Sequence, residues 1–356
     1  MANERDDFWK ALRIVAPGTP LREGLESILR ARTGALIVVG DSPEVMTLVD
    51  GGFRLDSEFQ PASLYELAKM DGAVVLTPDC RRILRANAML MPDPSIPTVE
   101  TGIRHRTAER FARQTGALVI AISQRRNIIS LYKGNMRYVL RDISVILTKA
   151  NQALQTLEKY KSVLSQALTN LSALELEDLA TVADVVRVVQ RTEMVRRIVC
   201  EIERYIYELG TEGRLVSMQL EELVANVAEE GNLVLRDYMS GEGNKTVGQI
   251  REQLAGCPSE DLLDLVTIAR ILGMGSAPSV LDSPVSPRGY RLLRKIPRLP
   301  MQVIENLVAH FGSLPRIMKA SLEELDEVDG IGEVRARAIQ EGLRRLREQI
   351  LLDRQL

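Results

Sequence analysis

The sequence predicts an α/β domain built on a mixed sheet, followed by an all-α helical spine and a small all-α carboxyl-terminal domain. Three observations carry that prediction. Short apolar runs closed by glycines alternate irregularly with helical patterns over roughly the first 145 residues. Across residues 143–239, apolar side chains then recur at spacings of three and four almost without interruption. A stretch rich in Gly, Ser and Pro, residues 273–290, precedes a last helical pattern. The expected division is residues 1–145, 146–285 and 286–356.

At 356 residues the chain exceeds one ordinary core, so two or three domains are expected. Its 26% charged and 45% hydrophobic residues fit a soluble globular protein. Aromatics make up only 4%, with Trp9 the single tryptophan, so base-stacking platforms are few. A net charge of -2 argues against a chain that coats nucleic acid, although a local basic face is still compatible with it. Cys80, Cys200 and Cys257 are far apart and form no CxxC pattern, which speaks against a zinc site or a disulfide framework. The polar amino end lacks a signal core, and no apolar run approaches the ~20 residues that span a bilayer. A reduced, cytoplasmic protein without a membrane partner is the expectation.

Trp9, Leu12 and Val15, then Leu21, Leu25, Ile28 and Leu29, recur at helical spacing on either side of a Pro-Gly break. Thr19 is placed to cap the second helix, with Pro20 at its first position. Residues 34–40 read as a buried strand that is apolar on both faces, and residues 50–53 as a turn. Leu64, Leu67 and Ala68 indicate a helix that stops before Asp71. Residues 73–76 form another buried strand, paired with residues 83–87 after a Pro78-Asp79 turn. Pro92, Pro94 and Pro97 demand an extended loop. Residues 107–115 fit a helix with Ala108, Phe111 and Ala112 inward, and residues 117–122, 127–132 and 136–140 fit strands.

The candidate site residues fall where these elements end. Asp71-Gly72-Ala73 opens a strand, Arg104-His105-Arg106-Thr107 leads into a helix, and Ser123-Gln124-Arg125-Arg126 closes a strand. Such loops are where α/β proteins bind ligands. Arg104, Arg106 and Arg110 with a histidine and a hydroxyl, beside exposed helix N–H groups, suit a polyanion such as a triphosphate. The Asp-Gly-Ala step suits either a metal or a sugar hydroxyl. Singly, these stretches read as a turn, a solvated basic segment and a polar hairpin. Their occurrence within one domain points to a site.

On these residues, with Gly34-Ala35-Leu36-Ile37-Val38 upstream, residues 64–70 before the aspartate and 143–160 after the sheet, the chain resembles the bacterial diadenylate cyclase (DAC) family. The similarity extends along the whole chain. The resemblance implies a nucleotidyltransferase that condenses two ATP into cyclic di-AMP, a second messenger, and releases two pyrophosphates. Two sites must then face each other, because each 3′-hydroxyl attacks the other nucleotide's α-phosphate. It further implies Mg²⁺ or Mn²⁺ as cofactor, with Asp71 as the metal- and hydroxyl-handling carboxylate. Gly72 and Ala73 would let the nucleotide approach the backbone, and Leu90 would line an adenine pocket. Ile103, Arg104, His105, Arg106 and Thr107 would hold phosphates, Ser123 would add a contact, and Arg125 would reach pyrophosphate or base. Family members often carry an acid after this serine, where this chain has Gln124. That departure leaves a second metal-binding carboxylate here without support.

The spine carries stripes such as Leu157, Leu164, Leu168 and Leu171, then Val185, Val188, Val189, Val195 and Ile202, with a break at residues 210–213. On its own it reads as a spacer. The resemblance implies assembly into an octamer in which cyclase domains meet face to face. Arg187, Arg191, Arg196, Arg197 and Arg204 are expected on solvated helix faces.

Near the carboxyl end, Asp329-Gly330-Ile331-Gly332-Glu333 between helical patterns resembles the helix-hairpin-helix motif. Its glycines allow a tight turn, and the next helix offers N–H groups to a DNA phosphate without reading base sequence. Arg335 and Arg337, with Arg344, Arg345 and Arg347, supply basic groups. An earlier copy carries Arg298-Leu299-Pro300 at the turn and is degenerate. His310, on an apolar helix, reads as structural.

The expected whole is a cytoplasmic, nucleoid-associated diadenylate cyclase whose tail binds branched or Holliday-junction-like DNA, linking synthesis to a checkpoint on DNA damage and repair. A junction-binding adaptor that only senses ATP is the first rival. A nuclease or repair enzyme is the second, and no carboxylate cluster near the hairpin favours it.

Overall fold

The computed structural model describes residue 9, residues 11–239 and residues 245–353; most of the polar amino end noted above lies outside them. The chain divides into two compact units, one of residues 1–152 with 203–218, the other of residues 153–202 with 219–356.

The first unit is organised on an eight-stranded mixed sheet. In chain order it contains α1 (Pro20–Arg30), β1 (Ala35–Val39), α2 (Pro43–Thr47), β2 (Val49–Asp50), β3 (Phe53–Glu58), α3 (Pro61–Leu67), β4 (Ala73–Leu76), β5 (Arg82–Leu90), α4 (Ile103–Thr115), β6 (Leu118–Ser123), β7 (Ile128–Lys133) and β8 (Met136–Val139). The strand order is β2-β5-β4-β1-β6-β7-β8, with β3 on β5. Only β1 and β4 run parallel, Ile37 opposite Val74; the remaining pairs are antiparallel. A parallel step needs a long crossover, and residues 40–72 supply it.

Strand β1 is buried at all five positions, as its apolar sequence requires. Ala35, Ile37 and Val39 pack with Leu25, Ile28 and Leu64 on one face. Leu36 and Val38 pack with Ala108, Phe111 and Ala112 of α4 on the other. Thr19 Oγ1 accepts the Arg22 N–H at 3.2 Å, with Pro20 next to the cap, as expected. Two elements differ from the sequence reading. Strand β3 is exposed at all six residues, so it shows no apolar alternation, and pairing with β5 defines it. Helix α4 starts at Ile103 rather than Thr107, because Gly102 takes an extended cap conformation and its carbonyl accepts the Arg106 N–H at 2.9 Å. The extra turn is polar because it faces no core.

Beyond the sheet run α5 (Ile143–Glu177), α6 (Val182–Leu209), α7 (Arg214–Val224), α8 (Val227–Tyr238), α9 (Val247–Gly256) and α10 (Leu265–Leu272), with a 3₁₀ turn at Gly210–Gly213. In the second unit, Leu157, Leu164, Leu171, Val185 and Val189 are buried, as the stripes foretold. Arg196 and Arg197 depart from the solvated-face expectation: both pair with buried Glu193, at 2.7 and 3.1 Å. Residues 273–290 are pinned rather than free, through Val285 N–H to Ala180 O (2.9 Å) and Leu314 N–H to Pro287 O (2.9 Å).

The carboxyl end carries α11 (Tyr290–Arg294), α12 (Met301–Phe311), α13 (Leu314–Lys319), α14 (Leu322–Asp326) and α15 (Glu333–Asp353) around one core. His310 is exposed and rests edge-on against Phe311, with ring centres 4.7 Å apart.

Candidate active site

The topology gathers the predicted stretches at one end of the sheet. There β1 and β4 begin, while the antiparallel β5 and β6 end, and the amino terminus of α4 closes the gap. The result is a cleft of about 1060 Å³. Asp71 and Gly72 line it ahead of β4, and Leu90 lines it from the end of β5. Ile103, Arg104, His105 and Thr107 enter from α4, and Ser123 and Arg125 from the end of β6. Two predicted residues are placed elsewhere. Ala73 is fully buried within β4, and Arg106 is exposed, outside the cleft lining.

Asp71 holds its carboxylate in full solvent, with Oδ1 3.6 Å from Nη2 of Arg104. A surface pair at that separation is a weak tie, so both groups are free to turn to a ligand. Gly72 has φ +89°, and a Cβ there would sit 2.8 Å from the Ala88 carbonyl oxygen. The sheet therefore needs this glycine for its own packing, and the turn it allows projects Asp71 into the cleft. Gly34 is a residue whose role the sequence concealed. A Cβ on it would collide with the Arg104 guanidinium. Gly34→Ala is therefore expected to push Arg104 off Asp71 and weaken binding of inorganic triphosphate, used as a polyanion probe, about 5–10-fold while costing no more than about 1 kcal/mol of stability. Calorimetric titration beside a urea titration measures both.

Helix α4 has neither a side-chain cap nor an acidic residue in its first turn. Its first N–H groups and positive dipole end are thus open toward the cleft. His105 is half-buried, and burial holds its imidazole below the usual histidine range, helped by Arg126, Arg137 and Arg104 and opposed by Glu100. Its ring meets Tyr132 edge-on, with centres 6.4 Å apart and planes at 81°. Ser123 Oγ accepts the Arg126 N–H at 3.2 Å, which shapes the turn that carries Arg125. The cleft also takes in Glu100, Met89, Met91 and Arg126, which periodicity did not single out.

A divalent cation fits this lining in one way only. No group of three or more His, Cys, Asp or Glu side chains among the described residues could hold a metal by itself. Mg²⁺ and Mn²⁺ commonly rely on one or two carboxylates plus substrate phosphates, and the exposed Asp71 beside the uncapped start of α4 is compatible with that requirement.

In the second unit the two hairpins have matching backbones. Gly330 has φ 82° and Arg298 has φ 61°. Ile331 and Leu299 are buried beside them, at 6% and 5%. Arg335 and Ala336 donate N–H to Gly332 O, as Val303 and Ile304 do to Pro300 O. The copies differ in what they offer outward, since Pro300 has no N–H. Gly332 is exposed, and a Cβ on it would meet open space. Arg335 and Arg337 are exposed, but Arg337 pairs with Glu333 (2.5 Å), Arg344 with Glu348 (3.5 Å) and Arg345 with Glu341. The expected basic face is thus interleaved with acids.

Comparison with known proteins agrees with this division of labour. Residues 22–137 match the family described as DisA bacterial checkpoint controller nucleotide-binding. Residues 140–281 match the DisA bacterial checkpoint controller linker region, and residues 296–350 the helix-hairpin-helix motif. The chain is 68% identical over 353 residues to the DNA integrity scanning protein DisA of Symbiobacterium thermophilum, covering 99% of each chain. It is 62% identical to that of Carboxydothermus hydrogenoformans over 95% of this chain and 96% of the relative. Against that of Clostridium botulinum strain Kyoto the identity is 59%, over 99% and 100%. Its nucleotide-binding, linker and helix-hairpin-helix segments, with this identity over nearly its full length, place the chain in the DNA integrity scanning protein DisA family.

Proposed function

We propose that the chain is a diadenylate cyclase that condenses two ATP into cyclic di-AMP across two facing subunits, and that its carboxyl-terminal hairpin holds branched DNA without reading its sequence. The observation that carries this reading is the cleft that joins a solvent-exposed Asp71 to Arg104, His105 and the uncapped start of α4.

In this reading the N–H groups of α4, Arg104 and the Thr107 hydroxyl hold the triphosphate, and Leu90 packs on the adenine. Asp71 faces the 3′-hydroxyl of the second nucleotide, accepts its hydrogen bond and takes its proton as the oxygen attacks. A bond forms from that oxygen to the α-phosphorus, and the bond to the β-phosphate oxygen breaks in line with it. Pyrophosphate leaves toward Arg125. A Mg²⁺ or Mn²⁺ ion, when bound, would be held by Asp71 and the phosphates and would neutralise charge on them. One chain binds one ATP, so a second copy must supply the other half. Met89 (63% exposed) and Ile103 (76% exposed) give the cleft an apolar rim suited to that contact. An octamer is the assembly proposed, and native mass measurement checks it. A cytoplasmic, nucleoid-associated placement belongs to this reading through the helix-hairpin-helix match at residues 296–350.

Incubation of the purified protein with ATP and Mn²⁺ tests the chemistry: cyclic di-AMP and pyrophosphate are expected. ATP returned unchanged would leave only the sensing adaptor. For the hairpin, Gly332→Leu places a side chain in open space on the phosphate side, so folding is spared and approach is blocked. Junction DNA affinity is expected to fall about tenfold, the worth of one charge-assisted hydrogen bond, with cyclic di-AMP synthesis in the absence of DNA retained.

A further inference from the structure

We propose that Glu100 is a positioning residue of the cleft: by hydrogen-bonding Tyr132 it holds the ring against which His105 is set, and so fixes how the first turn of α4 meets a nucleotide. The effect on rate rests on the cyclase reading above; the effect on His105 rests on the geometry alone.

Glu100 ends the proline-rich loop that leads into α4 and lines the cleft, yet its side chain is only 6% exposed. A carboxylate buried to that degree is costly unless paired. Its Oε1 accepts the Tyr132 hydroxyl at 2.8 Å and lies 2.7 Å from Nε of Arg137 on β8. Its own N–H donates to Thr98 Oγ1 at 3.1 Å, and Thr98 in turn donates to the buried Glu109 of α4. Side chain and backbone are therefore both anchored, and Glu100 is a rigid post.

Tyr132 is buried in β7 at 1% exposure, and apart from the hydroxyl it has no polar handle. Core packing holds the ring from its sides, the hydroxyl bond to Glu100, with Arg137 beside it, holds its far end, and that ring is the edge-on neighbour of His105. The Nε2 of His105 is buried without a hydrogen-bond partner among the described residues. With no bond on that nitrogen, the edge-on contact with Tyr132 is a direct constraint on how the imidazole stands. The charged groups facing His105 are Glu100 from the loop, Arg104 from its own helix, Arg126 from the turn after β6, and Arg137 from β8. Glu100 is the one anion among them, so its loss would also leave a wholly cationic wall.

The chain contains two histidines, so histidine labelled with carbon-13 yields two Cε1–H signals, and exposed His310 serves as an internal control. Glu100→Ala is expected to shift or broaden the His105 signal and leave His310 in place. Glu100→Gln, whose amide oxygen accepts the same bonds, brings the signal back toward wild type. Tyr132→Phe keeps the ring and the core volume, and should move His105 in the same direction as Glu100→Ala, which covers the case in which the alanine variant folds poorly. An unmoved His105 signal in both variants overturns the proposal. In turnover of ATP, Glu100→Ala is expected to lower kcat about tenfold with KM changed less than about threefold, and Glu100→Gln to recover most of the loss. Glu100→Ala/Tyr132→Phe should be no slower than Glu100→Ala within about threefold, since both remove one linkage. Multiplicative losses would mean that Glu100 acts by another route, and would overturn it. A wild-type protein that makes no cyclic di-AMP would sink the cyclase reading, while the His105 signal still decides the positioning.

Discussion

On the proposed cyclase reading, replacing Asp71 by Asn is expected to lower cyclic di-AMP synthesis by at least about 10³-fold while junction DNA binding stays within about twofold of wild type. The carboxylate stands just ahead of β4, fully exposed and loosely paired to Arg104. Asparagine keeps its shape and its ability to accept a hydrogen bond, but not its charge. What is lost is the anion that would face the attacking hydroxyl and share a cation with the phosphates, worth several kcal/mol of transition-state stabilisation in sites of this kind. Because nothing packs on the side chain, the melting temperature should not move. Synthesis within tenfold of wild type would remove Asp71 from the chemistry. Joint loss of synthesis and DNA binding would break the separation of the two activities.

The largest expected effect on stability lies in the second unit. Arg291 is fully buried at the start of α11, where it donates to Ser172 Oγ at 2.9 Å and pairs with Glu175. Tyr238 donates to the same carboxylate at 2.7 Å. Beside them Asp237 accepts N–H groups of Gly289, Tyr290 and Arg291, at 2.8, 2.6 and 3.1 Å. Arg291→Met would deprive two buried carboxylates of their fully buried cation, at a cost of about 3–5 kcal/mol and roughly 10 °C in melting temperature. Arg291→Met/Glu175→Leu should be the more stable variant of the two, since the remaining Asp237 keeps its three N–H donors. The pH dependence follows from Asp237, which burial and the nearby Glu175 push up to about 7. A carboxyl whose folded pKa lies above its unfolded value binds a proton more tightly when folded. Its contribution is therefore present below the unfolded pKa and lost as pH rises through about 7. Without Arg291 the loss should deepen across that window, so the variant's deficit is smallest near pH 4 and largest above neutrality. Thermal melts from acid to neutral pH measure it. A flat deficit would show that Arg291 packs without governing the charge beneath it.

Much of this is legible in the sequence itself. The double-faced apolar run of β1, the Thr19 cap, the spine stripes and the Gly-Ile-Gly turn all express rules that act over a few neighbouring residues. The cleft was legible as three separate stretches, 71–73, 104–107 and 123–126, each placed at the end of an element. What escaped was set by partners far away in the chain. Strand β3 exists through pairing with β5 and carries no alternation of its own. The first turn of α4 is polar because it borders the cleft, so a search for apolar periodicity starts the helix too late. Glu100 carries no local signal, because its partners lie 32 and 37 residues further along the chain.

By itself, then, the sequence determined the mixed-sheet and all-α classes, the positions of the helices and strands that bury apolar faces, and the residue types able to meet a polyphosphate. Those properties follow from periodicity and local backbone chemistry. Tertiary structure alone decided that Ala73 and Arg106 stand outside the cleft, that Gly34 makes room for Arg104, and that Glu100 supports Tyr132 beneath His105. Each of these depends on which strands adjoin, and strand order is a long-range choice that no short stretch of sequence contains.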